Sequence, residues 1–303
     1  MSSSAKNTVG QANRGARRRG FTLVEILVVM VIIAMLAAMT LGALQLTRDN
    51  ARRAGTKATI AKINSIIQRK YESYLTRRVP MPALPATMTR QAVLQARLNA
   101  LYDLMRMEMP DSQSDITSGP VQFSGWGGIA RPALSQAYLS KYSSHAPNTN
   151  FLPAKCLYLI VMSDPEAREQ FTASEYGDYT GDGWPVFLDG WKNPIMWIRW
   201  APGCSSNVAG GFSEIQSGIA QSSTSSTVAD HDPFDPQGVN TNAYHLIPLI
   251  YSSGGSATDY GIQTSPANTS YSTQIDPYYA SVSPKPGTLV GTGRMPIHNH
   301  HLD

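Results

Sequence analysis

The stretch RRRGFTLVEILVVMVIIAMLAAM, residues 17–39, decides the fold, because it places a single acid in an otherwise apolar run. From Ile26 to Met39 the chain has no polar residue, and the apolar character continues to Leu46. Such a run reaches the ~20 residues that a helix needs to span the hydrocarbon of a bilayer. A charge at the centre of a spanning helix costs about 2.5–3.5 kcal/mol, and less near its end, so the presence of Glu25 needs an explanation.

The segment in front of the apolar run is basic. Residues 1–20 contain five cations and no acid: Lys6, Arg14, Arg17, Arg18 and Arg19. The net charge of the whole chain is +4, so the remainder of the chain carries −1. The basic character therefore belongs to a short leader and does not indicate nucleic-acid binding. Cations on this side predict a cytoplasmic amino end and export of the chain beyond the apolar run.

An ordinary secretory signal has the same order of basic and apolar segments. Two features argue against that alternative: no small-x-small cleavage site follows the apolar run, and an acid lies within it. No cysteine follows the run either, so the sequence does not indicate a lipoprotein signal.

The residues GFTLVE, 20–25, resemble the leader junction of type IV pilins and of the pseudopilins of type II secretion. In that family a membrane peptidase cuts after the glycine, here Gly20, and methylates the new amino terminus, here Phe21. The resemblance implies that Glu25 of one subunit neutralises the Phe21 ammonium of its neighbour and so sets the axial register. The implied partners are prepilin peptidase, other pilin or pseudopilin subunits and the inner membrane. The alternative is that Glu25 snorkels to the membrane interface.

After Leu46 the pattern becomes amphipathic. Apolar side chains recur at spacings of three and four on one helical face, namely Ile60, Ile63, Ile67, Tyr71 and Tyr74. Because Pro80 and Pro82 end the pattern, it predicts one helix from Phe21 to Arg78. A second helix is predicted within residues 89–111 by an apolar face of Leu94, Leu98, Leu101 and Met105.

The rest of the chain gives weaker signals. Residues 111–150 are predicted to be loop, and the apolar block Cys156–Met162 fits a buried strand or helix, with its flanking sequence favouring a helix. Ile195–Trp200 is a strand candidate, and Tyr244–Tyr251, interrupted by Pro248, is predicted to be an edge strand. Three histidines near the carboxyl end could bind a transition metal, but the favoured interpretation is a solvated tail: His298, His300 and His301.

Two calcium hypotheses arise from the second half. DYTGDGWPVFLD, residues 178–189, places oxygen-bearing side chains and a glycine at positions one, three, five, six and twelve of a calcium-loop pattern, namely Asp178, Thr180, Asp182, Gly183 and Asp189. Threonine at position three and aspartate at position twelve depart from the pattern, and the alternative is a polar glycine-rich turn. The second hypothesis rests on a resemblance.

LDGWKNP, residues 188–194, resembles the Asp-Pro-Trp-Gly-Asn-Pro segment of major type II pseudopilins. The matching residues are Asp189, Trp191, Asn193 and Pro194, and the departures are Gly190 and Lys192. In those pseudopilins a turn leads into a strand and a calcium site lies in the loops after that strand. The acids of this chain nearest to such a loop are Asp230, Asp232 and Asp235. Calcium is thus the one cofactor that the sequence suggests.

The two cysteines, Cys156 and Cys204, form no CxxC motif. A disulfide between them is one possibility for an exported domain, and two unpaired thiols are the other.

Together these features predict an α+β fold of the pilin type, with a long amino-terminal helix, transmembrane in its first half, on a small antiparallel sheet with long irregular loops. The predicted organisation is a leader (1–20), a membrane or filament-core segment (21–46), an amphipathic segment (47–79) and an exported globular domain (80–303). No hydrolase, metalloprotease or phosphate-loop motif is present. We expect a structural, non-enzymatic filament subunit, anchored by a single pass in the inner membrane, with its carboxyl-terminal domain in the periplasm or outside. The alternative is an exported, membrane-anchored binding protein, adhesin or enzyme.

Overall fold

The computed structural model describes residues 21–203, 231–241, 243–256, 259–265, 275–279, 281–290 and 296–300. Its first element is a helix of 51 residues, α1 (Leu23–Ser73). The chain divides into two units, Met1–Asp49 and Asn50–Asp303, so the boundary falls within α1. Among the described residues, α1 is the one helix that is long and apolar enough to cross a membrane.

The second half of α1 is built as its periodicity predicts. The aromatic and β-branched side chains of the predicted face are buried, and at most 5% of each is exposed: Ile60, Ile63, Ile67, Tyr71 and Tyr74. The helix ends at Ser73 and not at Arg78 as predicted. Val79 precedes a proline and is restricted to extended backbone. In addition, Tyr74 and Arg77 both bond to the Glu108 carboxylate outside the helix.

The second predicted helix is confirmed as α2 (Arg90–Glu108). Thr89 caps it, because its hydroxyl accepts the Ala92 N–H at 3.2 Å. Pro110 follows the carboxyl end, as expected for a residue that cannot continue a helix.

The prediction that residues 111–150 are loop is wrong in part. The segment contains α3 (Gln113–Thr117) and α4 (Ala133–Ser144). The helix α4 was not predicted because its sequence is rich in serine. Its apolar face packs on the core, with Tyr138 buried beside Leu134. The block at Cys156 is a helix, α5 (Leu152–Met162), which confirms the favoured alternative, and a short helix α6 (Pro165–Arg168) follows.

The strands are short and antiparallel. A two-stranded sheet pairs β1 (Tyr176–Gly177) with β2 (Val186–Phe187). A three-stranded sheet has the order β3–β4–β5, with β3 (Met196–Ile198), β4 (Leu249–Ser252) and β5 (Ile297–His298). The predicted strand at Ile195–Trp200 is therefore confirmed in shorter form.

Two predictions about this sheet are wrong. The strand predicted at Tyr244–Tyr251 begins only after Pro248, and it is the central strand, because β5 pairs with its second edge. The partner is the segment interpreted as a solvated tail, in which His298 is 2% exposed. Of the other two histidines, His300 lies next to the sheet segment and His301 lies outside the described residues.

The core joins the helices to the sheet. Buried residues of the second half of α1 belong to the same hydrophobic cluster as Trp197 of β3 and Ile250 of β4. Two further tryptophans, Trp184 and Trp200, are also at most 1% exposed. A long amino-terminal helix with small antiparallel sheets and additional helices is an α+β fold of the pilin type.

Candidate functional site

The amino-terminal motif begins α1 with a side-chain cap. The Thr22 hydroxyl accepts the Glu25 N–H at 3.2 Å, and the Thr22 carbonyl accepts the Ile26 N–H at 3.2 Å. Threonine at the cap and glutamate at the third helical position is the spacing of a capping box. The acid also lies in the first turn, where the helix dipole favours negative charge. Phe21 lies outside the helix and is 76% exposed, whereas Gly20 lies outside the described residues.

The apolar half of α1 presents its side chains outward on every face. All residues from 21 to 49 are exposed, and the large apolar ones include Leu23, Ile26, Met30, Ile33, Leu36 and Met39. Burying one such side chain is worth about 1.5–3 kcal/mol, so this surface favours lipid or other helices over water. The sole carboxylate between residues 21 and 46 is that of Glu25.

A second motif from the sequence forms the turn between β2 and β3, and this turn is also hydrogen-bonded to Ser252 at the end of β4. The Asp189 carboxylate accepts the N–H groups of Trp191 and Asn193, both at 2.8 Å, and the Ser252 hydroxyl at 2.7 Å. The Asn193 amide donates to the Gly254 carbonyl at 2.9 Å. Burial raises the pKa of Asp189 above its ordinary value, and the hydrogen bonds only partly offset this effect. Asp189 thus organises the turn.

The same turn contacts α1 through Gly190. Its N–H donates to the Thr56 hydroxyl at 2.9 Å, and that hydroxyl donates to the Arg52 carbonyl at 2.9 Å. A Cβ atom on Gly190 would lie 2.4 Å from the Arg52 carbonyl oxygen. The close approach therefore requires glycine, which accounts for one of the two departures from the pseudopilin segment.

Replacing Gly190 with alanine should destabilise the protein by about 1–3 kcal/mol, because the turn must move away from the α1 backbone. Gly55→Ala is the matched control, since nothing lies within 4 Å of the position where its Cβ would be built. In the interior of a helix, that change should instead stabilise by about 0.8–1.0 kcal/mol. Urea unfolding of the full-length protein in detergent measures both changes. An equal effect of the two substitutions would contradict the proposed close approach.

The structure separates the residues of the first calcium hypothesis. The Asp178 carboxylate accepts the N–H groups of Gly181, Asp182 and Gly183 at 2.7–3.2 Å. Asp189 is engaged in the turn described above, whereas Thr180 and Asp182 stay on the loop with Asp178.

Asp182 is paired with a buried cation. Its carboxylate contacts Lys155 Nζ at 2.6 Å and accepts the Asn148 N–H at 2.8 Å, and the Lys155 side chain is fully buried. Burial acts to raise the pKa of Asp182, but the hydrogen bonds from Lys155 and Asn148 outweigh it and lower that pKa to about 2. The Lys155 ammonium therefore already neutralises the Asp182 carboxylate.

The described acids of the second calcium hypothesis, Asp232 and Asp235, also have hydrogen-bond partners within the protein. Asp232 accepts hydroxyl groups of Tyr102 and Tyr278, the latter at 2.7 Å. Asp235 accepts the N–H groups of Val239 and Asn240 at 2.9 and 2.8 Å, and Asp230 lies outside the described residues. Across the described ranges, no group of three or more His, Cys, Asp or Glu side chains is placed to hold a metal ion. Neither set fits calcium in this arrangement, so the described part of the structure gives no support to the calcium binding that the sequence suggested.

A chelator tests the calcium hypotheses directly. Because these carboxylates are satisfied by N–H and O–H groups and by Lys155, we expect EDTA and added Ca²⁺ to leave the thermal unfolding midpoint unchanged. Differential scanning calorimetry of the full-length protein measures it. A midpoint that falls with EDTA and recovers with Ca²⁺ but not Mg²⁺ would establish a calcium site.

The cysteine prediction also remains untested. Cys156 is fully buried in α5, and burial raises the pKa of its thiol well above the ordinary value. Cys204 lies outside the described residues. The disulfide between them stays a prediction.

Sequence reasoning missed a buried ionic cluster. Its five members are at most 2% exposed and lie on α2, in and before α3, and just after β3: Asp103, Arg106, Asp111, Asp115 and Arg199. Arg106 contacts Asp103 at 2.8 Å and Asp115 at 3.6 Å, and Arg199 contacts Asp115 at 2.8 Å. The three-residue spacing of Asp103 and Arg106 was a local signal, but Arg199 contacts Asp115 from a distant part of the chain.

Comparison with known proteins places the amino-terminal features in a family context. Residues 15–41 match the prokaryotic N-terminal methylation motif, a span that includes Gly20, Phe21 and Glu25. No curated protein and no solved structure is significantly similar to the chain. A capped, apolar α1 and this motif together fit a single-pass membrane anchor. The chain therefore carries the prepilin-type leader that is found in the pilin and pseudopilin families.

Proposed function

We propose that the protein is a structural, non-enzymatic subunit of a type II secretion pseudopilus or a related pilus-like filament. One observation carries the proposal: the methylation motif, residues 15–41, includes the start of a helix whose apolar side chains in that part are exposed on every face. Cleavage after Gly20 leaves that helix attached to the mature chain. The exposed apolar surface then needs lipid before assembly and sister helices afterwards.

The proposed sequence of events is insertion in the inner membrane, cleavage by prepilin peptidase, extraction and addition to a helical stack. The new ammonium of Phe21 and the carboxylate of Glu25 lie about one helical turn apart along the chain. In a bundle of parallel helices, Glu25 of one subunit neutralises the Phe21 ammonium of its neighbour. A different stagger would leave both charges unpaired in an apolar environment, which is costly, so the pair specifies the axial register.

The globular part that follows α1 would face the periplasm or the exterior. The α1 face with Ile60, Ile63 and Ile67 attaches this part to the helix through buried apolar contacts. Motion of the helix during assembly would therefore carry the globular part with it. The competing function is a membrane-anchored binding protein, adhesin or enzyme that remains a monomer.

Photo-crosslinking distinguishes the two functions. We expect a benzoyl-phenylalanine at Val31, an exposed position of α1, to produce a ladder of dimers, trimers and larger multimers in cells. The ladder should disappear in a strain that lacks prepilin peptidase, because the uncleaved chain has no Phe21 ammonium. A monomer as the single product in the presence of the peptidase would support the competing function.

A further inference from the structure

A cavity of ≈540 Å³ lies beside the segment that follows α1. One wall is the leucine face of α2, formed by Leu94, Leu98 and Leu101, and Met81 and Phe234 contribute further apolar surface. Leu98 and Phe234 are mostly buried and belong to the hydrophobic core, so this wall is continuous with the core. The volume falls within the range of roughly 300–1,000 Å³ that is typical of small-molecule sites.

Three arginines are among the residues that line the same cavity: Arg77, Arg78 and Arg97. The charge of Arg77 is balanced, because its Nη1 and Nη2 donate hydrogen bonds to the Glu108 carboxylate at 2.5 and 2.7 Å. Arg78 and Arg97 are exposed, and no carboxylate within the described part of the chain forms an ion pair with either. The cavity therefore has two uncompensated cations next to an apolar wall.

The one acid in the lining does not cancel them. Asp235 is 2% exposed, and its oxygens accept the N–H groups of Val239 and Asn240 at 2.9 and 2.8 Å. It also lies 3.4 Å from the His231 imidazole. These contacts hold the carboxylate within its own turn.

The other described lining residues are valine, proline, methionine, leucine, phenylalanine and glutamine, so the described part of the lining has no nucleophile and no histidine. Guanidinium groups bind carboxylates through paired, charge-assisted hydrogen bonds, and leucine faces bind apolar groups. This lining therefore suits a ligand that has an apolar body and an anionic group.

We propose that this cavity binds a small apolar organic acid, with its carboxylate held by Arg78 and Arg97 and its apolar body packed against the leucine face of α2. The size of the cavity favours a molecule of this class over an extended peptide. The proposal concerns the globular part alone and does not depend on filament assembly.

Isothermal titration of the full-length protein in detergent with 2-naphthoate tests the proposal. We expect saturable binding with one equivalent per chain. The uncharged analogue 2-naphthamide should bind about tenfold more weakly or not at all, because it lacks the charge-assisted hydrogen bonds. The double variant Arg78→Ala/Arg97→Ala should raise the Kd for 2-naphthoate at least about tenfold for the same reason. Arg69→Ala, an exposed arginine that does not line the cavity, is the control and should leave the Kd unchanged.

Since Arg78 and Arg97 are exposed, the double variant should keep the wild-type thermal midpoint, which circular dichroism verifies. Three results would overturn the proposal: no saturable binding, equal binding of the amide, or an unchanged Kd in the folded double variant. The last result would locate the ligand at the apolar helix or in the micelle. Saturable binding of an acidic Glu-Leu repeat peptide without binding of 2-naphthoate would overturn it in favour of a peptide site.

Discussion

Replacing Asp115 with asparagine should destabilise the protein by about 3–5 kcal/mol, the cost of breaking a buried ion pair by removing one partner. Asp115 lies between two buried cations, with Arg199 Nη1 at 2.8 Å and Arg106 Nη1 at 3.6 Å. Despite burial, these guanidinium groups hold the pKa of Asp115 below its ordinary value, so the group is ionised in the folded state. An amide at this position would remove the carboxylate closest to Arg199 and one of the two carboxylates that contact Arg106.

Asp111→Asn is the matched control, since Asp111 is a neighbour in the same cluster. Burial and the Asp115 carboxylate raise the pKa of Asp111 to about 6, although Arg199 opposes this effect. An asparagine can keep the acceptor for the Arg199 N–H, which now lies at 3.0 Å, and its amide can donate to Asp115 as a protonated acid would. We therefore expect Asp111→Asn to cost less than about 1.5 kcal/mol, the scale of a single hydrogen bond.

The pH dependence separates the two acids further. Because the folded pKa of Asp111 is raised, the folded state binds its proton more tightly than the unfolded state does, so this group adds stability as the pH falls from about 6 towards 3.8. Asp111→Asn should remove that gain. The lowered pKa of Asp115 acts in the opposite sense, and its contribution is lost as the pH falls below 3.8.

Urea unfolding of the full-length variants in detergent measures the destabilisation by both substitutions, and repeating it between pH 4 and pH 8 measures the pH-dependent contribution of Asp111. Equal destabilisation by the two substitutions would contradict the assignment of Asp115 as the central anion. A pH profile that is unchanged in Asp111→Asn would contradict the raised pKa of Asp111.

The second large effect is expected for Glu25. In the proposed filament every subunit buries one carboxylate and one ammonium, so Glu25→Ala leaves the Phe21 ammonium unpaired at each interface. The cost of about 3–5 kcal/mol for an uncompensated buried charge recurs with every added subunit, and we expect loss of detectable filaments. Sedimentation of sheared filaments and immunoblotting of the pellet measure the yield. Cleavage by the peptidase, read from the size of the cell-associated chain, shows that the variant enters the membrane.

Glu25 also has a local role that needs its own control. The Thr22 hydroxyl accepts the Glu25 N–H, and the two residues have the spacing of a capping box. Thr22→Val removes that acceptor with little change of shape and should cost about 1 kcal/mol of helix stability. We expect Thr22→Val to retain filaments. If it abolished them as completely as Glu25→Ala, helix capping would explain the result and charge pairing would not be needed.

The sequence predicted those elements whose signals are local. The spacing of Ile60, Ile63 and Ile67 predicted the buried face of α1, because a helical period can be recognised within a short stretch of sequence. The helix α4 was missed because its several serines hide the apolar face around Tyr138. The central position of β4 was missed because its second partner, β5, is a strand of two residues in a segment without apolar periodicity.

Features that depend on distant contacts could not be predicted. Gly190 and Thr56 are hydrogen-bonded, but each is ordinary in its own sequence neighbourhood. The carboxylates of Asp178, Asp182 and Asp189 have the spacing of a calcium loop, yet their partners are backbone N–H groups, Lys155 and Ser252, which the spacing does not reveal. Arg199 follows a strand, and nothing local shows that it is fully buried against acids near α3.

The central claim is that the leader is removed while the apolar helix stays. Mass spectrometry of the amino-terminal peptide from protein isolated from membranes or filaments tests it most directly. We expect a peptide that begins at Phe21 and carries one methyl group on its amine. A chain that retains residues 1–20, or one that begins after Leu46, would contradict the proposed function.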